Sequence, residues 1–230
     1  MDAPVIEARQ LSRRYGRRWA LARLDLRVDP GERVLIVGAN GSGKTTLLRL
    51  LSTTILPTLG SLQLFGLDVT RQTSAARAQL GLVSHQPALY EDLSGPDNLR
   101  ILLGLMGRAG EPPEPYLEQV GLEVRPDPVR GYSAGMRKRM AFARLLAQRP
   151  RLVLLDEPYG QLDPAGFNTV DALVERLSAG GATVVIASHL VDRASRICER
   201  ALLLDKGLVR WTGPADRIDR AWDVLHGRAA

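Results

Sequence analysis

Lys44 and Thr45 close an octet rich in glycine, Gly38-Ala39-Asn40-Gly41-Ser42-Gly43-Lys44-Thr45. Its spacing fits the phosphate-binding pattern G-x-x-x-x-G-K-[ST]. Glycines let the backbone turn tightly and bring successive N–H groups inward against an anion. In such a loop the lysine reaches the β- and γ-phosphates of a nucleotide and the hydroxyl of Thr45 ligates magnesium. Far along the chain stands an acidic pair, Asp156-Glu157. One carboxylate suits a hard cation, and the other suits a general base. Two further groups have chemistry to offer: His189, and the polar tract Tyr132-Ser133-Ala134-Gly135-Met136.

These groups need elements to position them. Val34–Val37 is apolar at every position, as a strand covered on both faces must be. Thr46–Leu51 continues as a helix, whose N-terminus adds unpaired donors and partial positive charge. A chance glycine turn would not need that strand–loop–helix context. Leu152–Leu155 reads as a second covered strand, delivering Asp156-Glu157 at its carboxyl end, the edge where open α/β sheets bind ligands. The bland alternative for an acidic pair there is a helix N-terminal charge; beside a phosphate loop the catalytic role is preferred. Thr183–Ala187 is a third such strand, ending in Ser188-His189, and Ala201–Leu204 a fourth, turned by Lys206-Gly207.

Before the loop, Ala22, Leu24, Leu26 and Val28 alternate with charged residues, the period of a half-buried strand. Tyr15 falls in a loop, Arg14–Arg17, between the first two strands, where an aromatic is more often packing than a ligand contact. Gly60–Gly66 holds a short strand, and Leu80–Ser84 a short buried one. Between residues 87 and 149 the texture becomes helical: Leu99–Leu105, then a linker at Glu111–Pro115, then Tyr116–Leu122. Ser133 is placed to cap the helix that follows, which Pro150 ends. Phe167, Val170, Leu173, Val174 and Leu177 share one face of the next helix.

Composition narrows the classes. At 230 residues the chain is long enough to bury a substantial core. Its one cysteine, Cys198, excludes an internal disulfide framework; a small buried hydrophobe is its expected role. No secretory leader or bilayer-spanning stretch is apparent, so an intracellular protein, soluble by itself, is expected. The net charge of +6 is mostly scattered arginine. A solvated basic surface accounts for it, and that sign also suits work against the cytoplasmic leaflet.

Taken together, the phosphate loop, Gln86, the Tyr132–Met136 signature, Leu152–Glu157, Leu162-Asp163-Pro164 and His189 resemble the nucleotide-binding subunit of ABC transporters, in order and separation, over nearly the whole chain. The resemblance implies an α/β fold: a P-loop NTPase (RecA-like) core with an N-terminal antiparallel β subdomain and an inserted helical subdomain. Residues 1–86 and 150–213 would form the core, 87–149 the helical part with the signature, and 214–230 a C-terminal tail. It implies ATP and Mg2+, with Tyr15 stacking on adenine and Gly38 to Thr46 (Thr46 included) cradling phosphate. Thr45, Gln86 and Asp156 would meet the metal. Glu157, His189 and Gln86 would be catalytic. Ser133, Ala134 and Gly135 would cover the γ-phosphate of a second subunit in a head-to-tail homodimer.

A separate transmembrane permease would be the other partner, with the chain peripheral on the cytoplasmic face and no nucleic acid expected. Met136 stands where importers usually have glutamine, and Ala134 where the family has glycine. That variant resembles export-type ATPases. With Val83-Ser84-His85-Gln86 and the stretch Asp156–Asp163, it is most similar to the haem exporter ATPase of cytochrome c maturation. Other exporters of drug, lipid or polysaccharide remain alternatives. A soluble ABC protein acting on nucleic acid would need a long coiled coil or two ATPase domains in one chain. The signature and His189 argue against a generic phosphate-loop kinase.

Overall fold

The computed structural model describes residues 3–84 and 88–225. Gln86, an expected site residue, lies outside them, as do His85 and His226. The described chain opens with β1 (Ile6–Tyr15) and β2 (Arg18–Val28), then β3 (Arg33–Val37), which leads through the glycine-rich loop into α1 (Lys44–Leu51). There follow β4 (Leu59–Leu64), β5 (Leu67–Asp68), α2 (Thr73–Arg77) and β6 (Leu80–Val83). Helices α3 (Gly95–Leu105), α4 (Glu114–Glu118) and α5 (Ala134–Gln148) come next. The remainder is β7 (Leu152–Asp156), α6 (Pro164–Ala179), β8 (Thr183–Ala187), α7 (Val191–Ala194), β9 (Arg200–Asp205), β10 (Leu208–Pro214) and α8 (Ile218–Leu225).

The strands form two sheets. One is antiparallel, in the order β2-β1-β4-β5. The other runs β10-β9-β3-β8-β7-β6, parallel throughout except for β10. Alternate residues of its inner strands feed two separate cores. Val34, Ile36, Leu152 and Leu154 pack toward the first sheet, with Leu47, Leu48, Leu50 and Leu51 of α1 between. Leu35, Val37, Val153 and Leu155 pack toward α5 and α6 on the other face. Water reaches neither side, which is why these strands are apolar at consecutive positions. α1 is therefore clamped between two sheets, and so is the loop that starts it.

Several expectations are corrected in detail. Tyr15 is the last residue of β1, paired with Arg18, and not in a loop; Gly16, at φ 56°, makes the two-residue turn tight. In β2 the alternation slips. Leu24 pairs with Leu11 but Leu21 pairs with Arg13, three residues against two, and Arg23 takes φ 49°. This bulge inverts the phase, so Leu21 is buried where Ala22 was expected. β6 lies at the sheet edge with Leu82 turned outward, so it is half-covered. α4 begins at Glu114, inside the expected linker, because proline is tolerated in a first helical turn. Residues 218–225 form α8, anchored by buried Ile218, where a tail was expected. Cys198 is buried as expected, and burial pushes its thiol up to about 12.

Candidate functional site

Three neighbouring strands end together. In the β3–β8–β7 register Ile36 faces Ala187, and Ala187 faces Asp156. The chain leaves these strands into Gly38, Ser188-His189 and Glu157 respectively. Strands about 4.8 Å apart thus bring the loop, the histidine and the acidic pair to one edge. A cleft of about 710 Å³ opens there, lined by Asn40, Gly41, Gly43, Lys44, Thr45 and Thr46 from the loop and α1. Asp156, Glu157 and His189 line it too, as do Tyr15, Arg18 and Ala20 from the hairpin of β1 and β2.

The loop's shape depends on its glycines. A Cβ at Gly38 would stand 2.3 Å from Ser42 Oγ and 2.4 Å from the Leu204 carbonyl oxygen. Gly43 takes φ 113°, where a Cβ would meet the Ala20 carbonyl at 2.7 Å. The loop therefore threads between β9 and β2 with no room for side chains at these two points. Lys44, 8% exposed, folds back and donates to the carbonyls of Gly38 (2.7 Å) and Ala39 (3.2 Å). Burial lowers its pKa, against the pull of Glu157 and Asp156. Among the described residues no side chain caps α1, so its first-turn N–H groups are available to an anion. Ser42 Oγ is buried and has no partner within the described residues.

Asp156 is buried at the end of β7. Glu157 follows in the left-handed region, φ 49°, and its N–H donates to the Ala187 carbonyl at 2.8 Å. That backbone turn swings its carboxylate across to the next strand end. Oε2 accepts from the His189 N–H at 3.2 Å and lies 2.7 Å from His189 Nδ1. His189 is itself largely exposed, so the pair faces the open cleft.

Ser133, Ala134 and Gly135 stand apart from this group. Ser133 caps α5, accepting the Met136 N–H at 3.2 Å, and none of the three lines the cleft. Ser133 and Ala134 are exposed, with Gly135 backed against the Gln161 carbonyl. Three further residues at the site were not anticipated from sequence. Arg18 and Ala20 line the cleft, and their only sequence signal was nearness to Tyr15 across a hairpin turn. Lys138 reaches the Glu157 carbonyl from α5 at 2.9 Å, and was hidden in the basic run Arg137-Lys138-Arg139.

Tyr15 is 43% exposed, and the Arg13 guanidinium covers its ring at 4.9 Å. One face of the ring is therefore taken, leaving the other for a base. Base–aromatic stacking is worth about 1–3 kcal/mol. At a half-exposed ring the low end applies, so Tyr15→Ala should weaken ATP binding about five- to tenfold, with GTP affected equally. A nucleotide titration showing no change would remove Tyr15 from the site.

Residues 21–160 match the family model described as ABC transporter. The chain is 38% identical over 211 residues to the daunorubicin resistance ATP-binding protein DrrA3 of Streptomyces coeruleorubidus, covering 90% of this chain and 67% of that one. It is 40% identical over 187 residues to the cytochrome c biogenesis ATP-binding export protein CcmA of Nitrosococcus oceani, covering 81% and 86%. Among solved structures, the dimeric post-hydrolysis state of the ATP-binding cassette MJ0796, bound to ADP and Pi, superposes with a TM-score of 0.83 at 25% identity, covering 91% of this chain and 98% of that one.

Proposed function

The chain belongs to the ABC transporter family, and from that premise we propose that it is the ATP-hydrolysing subunit of a membrane exporter, working as a head-to-tail pair. It is an ATPase of the transport-coupled kind, and its ligands are ATP and Mg2+. Thr45 and Asp156 offer hydroxyl and carboxylate oxygens in one cleft, the donor set a hard cation takes. Mg2+ held there would neutralise charge on the triphosphate. Lys44 and the loop N–H groups bind the phosphates, Glu157 orients or deprotonates the attacking water, and His189 holds the γ-phosphate in line. Gln86, outside the described residues, would contact the metal and link the site to the helical region 87–149.

The observation that carries the proposal is the half-built cleft. Loop, base and histidine converge on it, while Ser133, Ala134 and Gly135 lie outside it, with Ser133 and Ala134 exposed. Phosphoryl transfer needs charge neutralisation on every side of the transferred group. A second copy, turned head to tail, supplies the missing side with its own Ser133 hydroxyl and α5 N-terminus. That the MJ0796 cassette is dimeric supports a pair of copies. No helix among the described residues is long and apolar enough to cross a membrane; we assign the transport path to separate permease chains, with this subunit peripheral on the cytoplasmic face and without a nucleic-acid partner.

For the cargo we favour haem in cytochrome c biogenesis, on the sequence Val83-Ser84-His85-Gln86, the stretch Asp156–Asp163 and the similarity to the CcmA protein. Similarity to the daunorubicin resistance protein over 90% of this chain favours a drug exporter as the second reading. Membrane extracts should yield the chain bound to a polytopic partner, whose complex hydrolyses ATP faster with haem. Stimulation by an amphipathic drug instead moves the assignment to the second reading. Salt-sensitive retention on DNA without membrane association would overturn both.

A further inference from the structure

Lys138 is 3% exposed, in the second turn of α5 after the Ser133 cap. An ammonium group is costly to bury unless strong acceptors meet it. Here the amine donates to the main-chain carbonyl of Glu157 at 2.9 Å. Burial pushes it down to about 8, against the pull of Asp156 and Glu157. Glu157 needs such a contact. At φ 49° it occupies a region that a residue with a side chain enters at a cost of about 1–2 kcal/mol, and such conformations persist only where the surroundings determine them. Its N–H is held by Ala187, and its carbonyl by the Lys138 amine and the Gly160 N–H at 3.1 Å. With both main-chain groups fixed, the carboxylate is aimed at His189 and the cleft.

We propose that Lys138 is a positioning residue for the general base, clamping Glu157 in its turned conformation and tying it to the helix whose first turn serves the partner's nucleotide. This rests on the assignment of Glu157 as base and of Ser133–Gly135 to the opposite site. From Ser133 to Lys138 is about 7.5 Å along a rigid helix. Movement of that N-terminus on the partner's ATP therefore reaches the base of its own site through one amine, without passing through the phosphate loop. Each nucleotide would then report on the other through α5.

The test is steady-state and single-turnover ATPase kinetics on the full chain. Lys138→Met keeps the bulk and removes the donor; kcat should fall about ten- to a hundredfold, since small misplacement of a catalytic group costs that much, while KM and nucleotide Kd stay within about twofold. Lys138→Gln donates on an arm one atom shorter and should lose about three- to fivefold. In a Glu157→Gln background, Lys138→Met should leave the residual single-turnover rate within about twofold. Parental kcat in Lys138→Met, or a rise in KM matching its loss as general loosening would give, overturns the proposal. Should Lys138→Met fail to fold by circular dichroism, parental kcat in Lys138→Gln overturns it equally. Glu157→Gln turning over at the parental rate would instead sink the assignment of the base itself.

Discussion

Glu157→Gln is expected to bind ATP normally and lose at least about a hundredfold in kcat, because a positioned general base contributes about 10²–10⁴. The substitution preserves shape and keeps an oxygen able to accept the His189 N–H, now seen at 3.2 Å. It leaves untouched the backbone bonds that set the φ 49° turn, since those belong to the Glu157 N–H and carbonyl. What disappears is the basicity beside the site of water attack. The donors proposed for the phosphates lie elsewhere, on the loop and α1. Binding and turnover should thus separate cleanly. If, as in the proposed head-to-tail pair, ATP closes the dimer and hydrolysis opens it, the variant should also accumulate as an ATP-bound dimer, visible by size exclusion with ATP and Mg2+. Hydrolysis at the parental rate would remove Glu157 from the chemistry and leave Asp156 or His189 to explain it.

The parts of this site legible in the sequence were the local ones. A covered strand is apolar at every position, and the phosphate loop carries its glycines and lysine within a single octet, so β3, the loop and α1 could be placed with nothing else known. The same held for β7 and β8, whose carboxyl ends announce Asp156 and His189. The sheet order was not legible. That β8 lies between β3 and β7, and so sets His189 between the loop and Glu157, is fixed by long-range pairing that leaves no mark on either strand.

Short-range surprises had physical causes too. The Arg23 bulge reverses which face of β2 is apolar, and a strict two-residue period cannot anticipate it. Lys138 sits in a basic run that reads as solvated surface, yet the helix turns Lys138 alone inward to 3% exposure while Arg137 and Arg139 stay partly exposed. Arg18 came to the cleft only because Gly16 permits a two-residue hairpin. Gln86 lies outside the described residues, and its part in the site stays with the proposal.

Lys44→Ala should weaken ATP binding about ten- to a hundredfold, the loss expected when a charge-assisted hydrogen bond worth about 1.5–3 kcal/mol is removed. The geometry suits this lysine to the proposed task. An ammonium has three donors; two are spent on the Gly38 and Ala39 carbonyls. They hold the amine across the mouth of its own loop, leaving the third for a phosphate oxygen. Burial opposes its charge while Glu157 and Asp156 favour it, so a triphosphate arriving in the cleft meets a partly desolvated cation that has little left to reorganise. Alanine removes the cation and leaves the glycines, hence the loop's path between β9 and β2, in place. Circular dichroism melting should therefore change far less than affinity does. An ATP titration at the parental Kd in a folded Lys44→Ala chain would mean that the triphosphate does not lie on this loop, and the assignments of Thr45, Asp156 and Glu157 would fall with it.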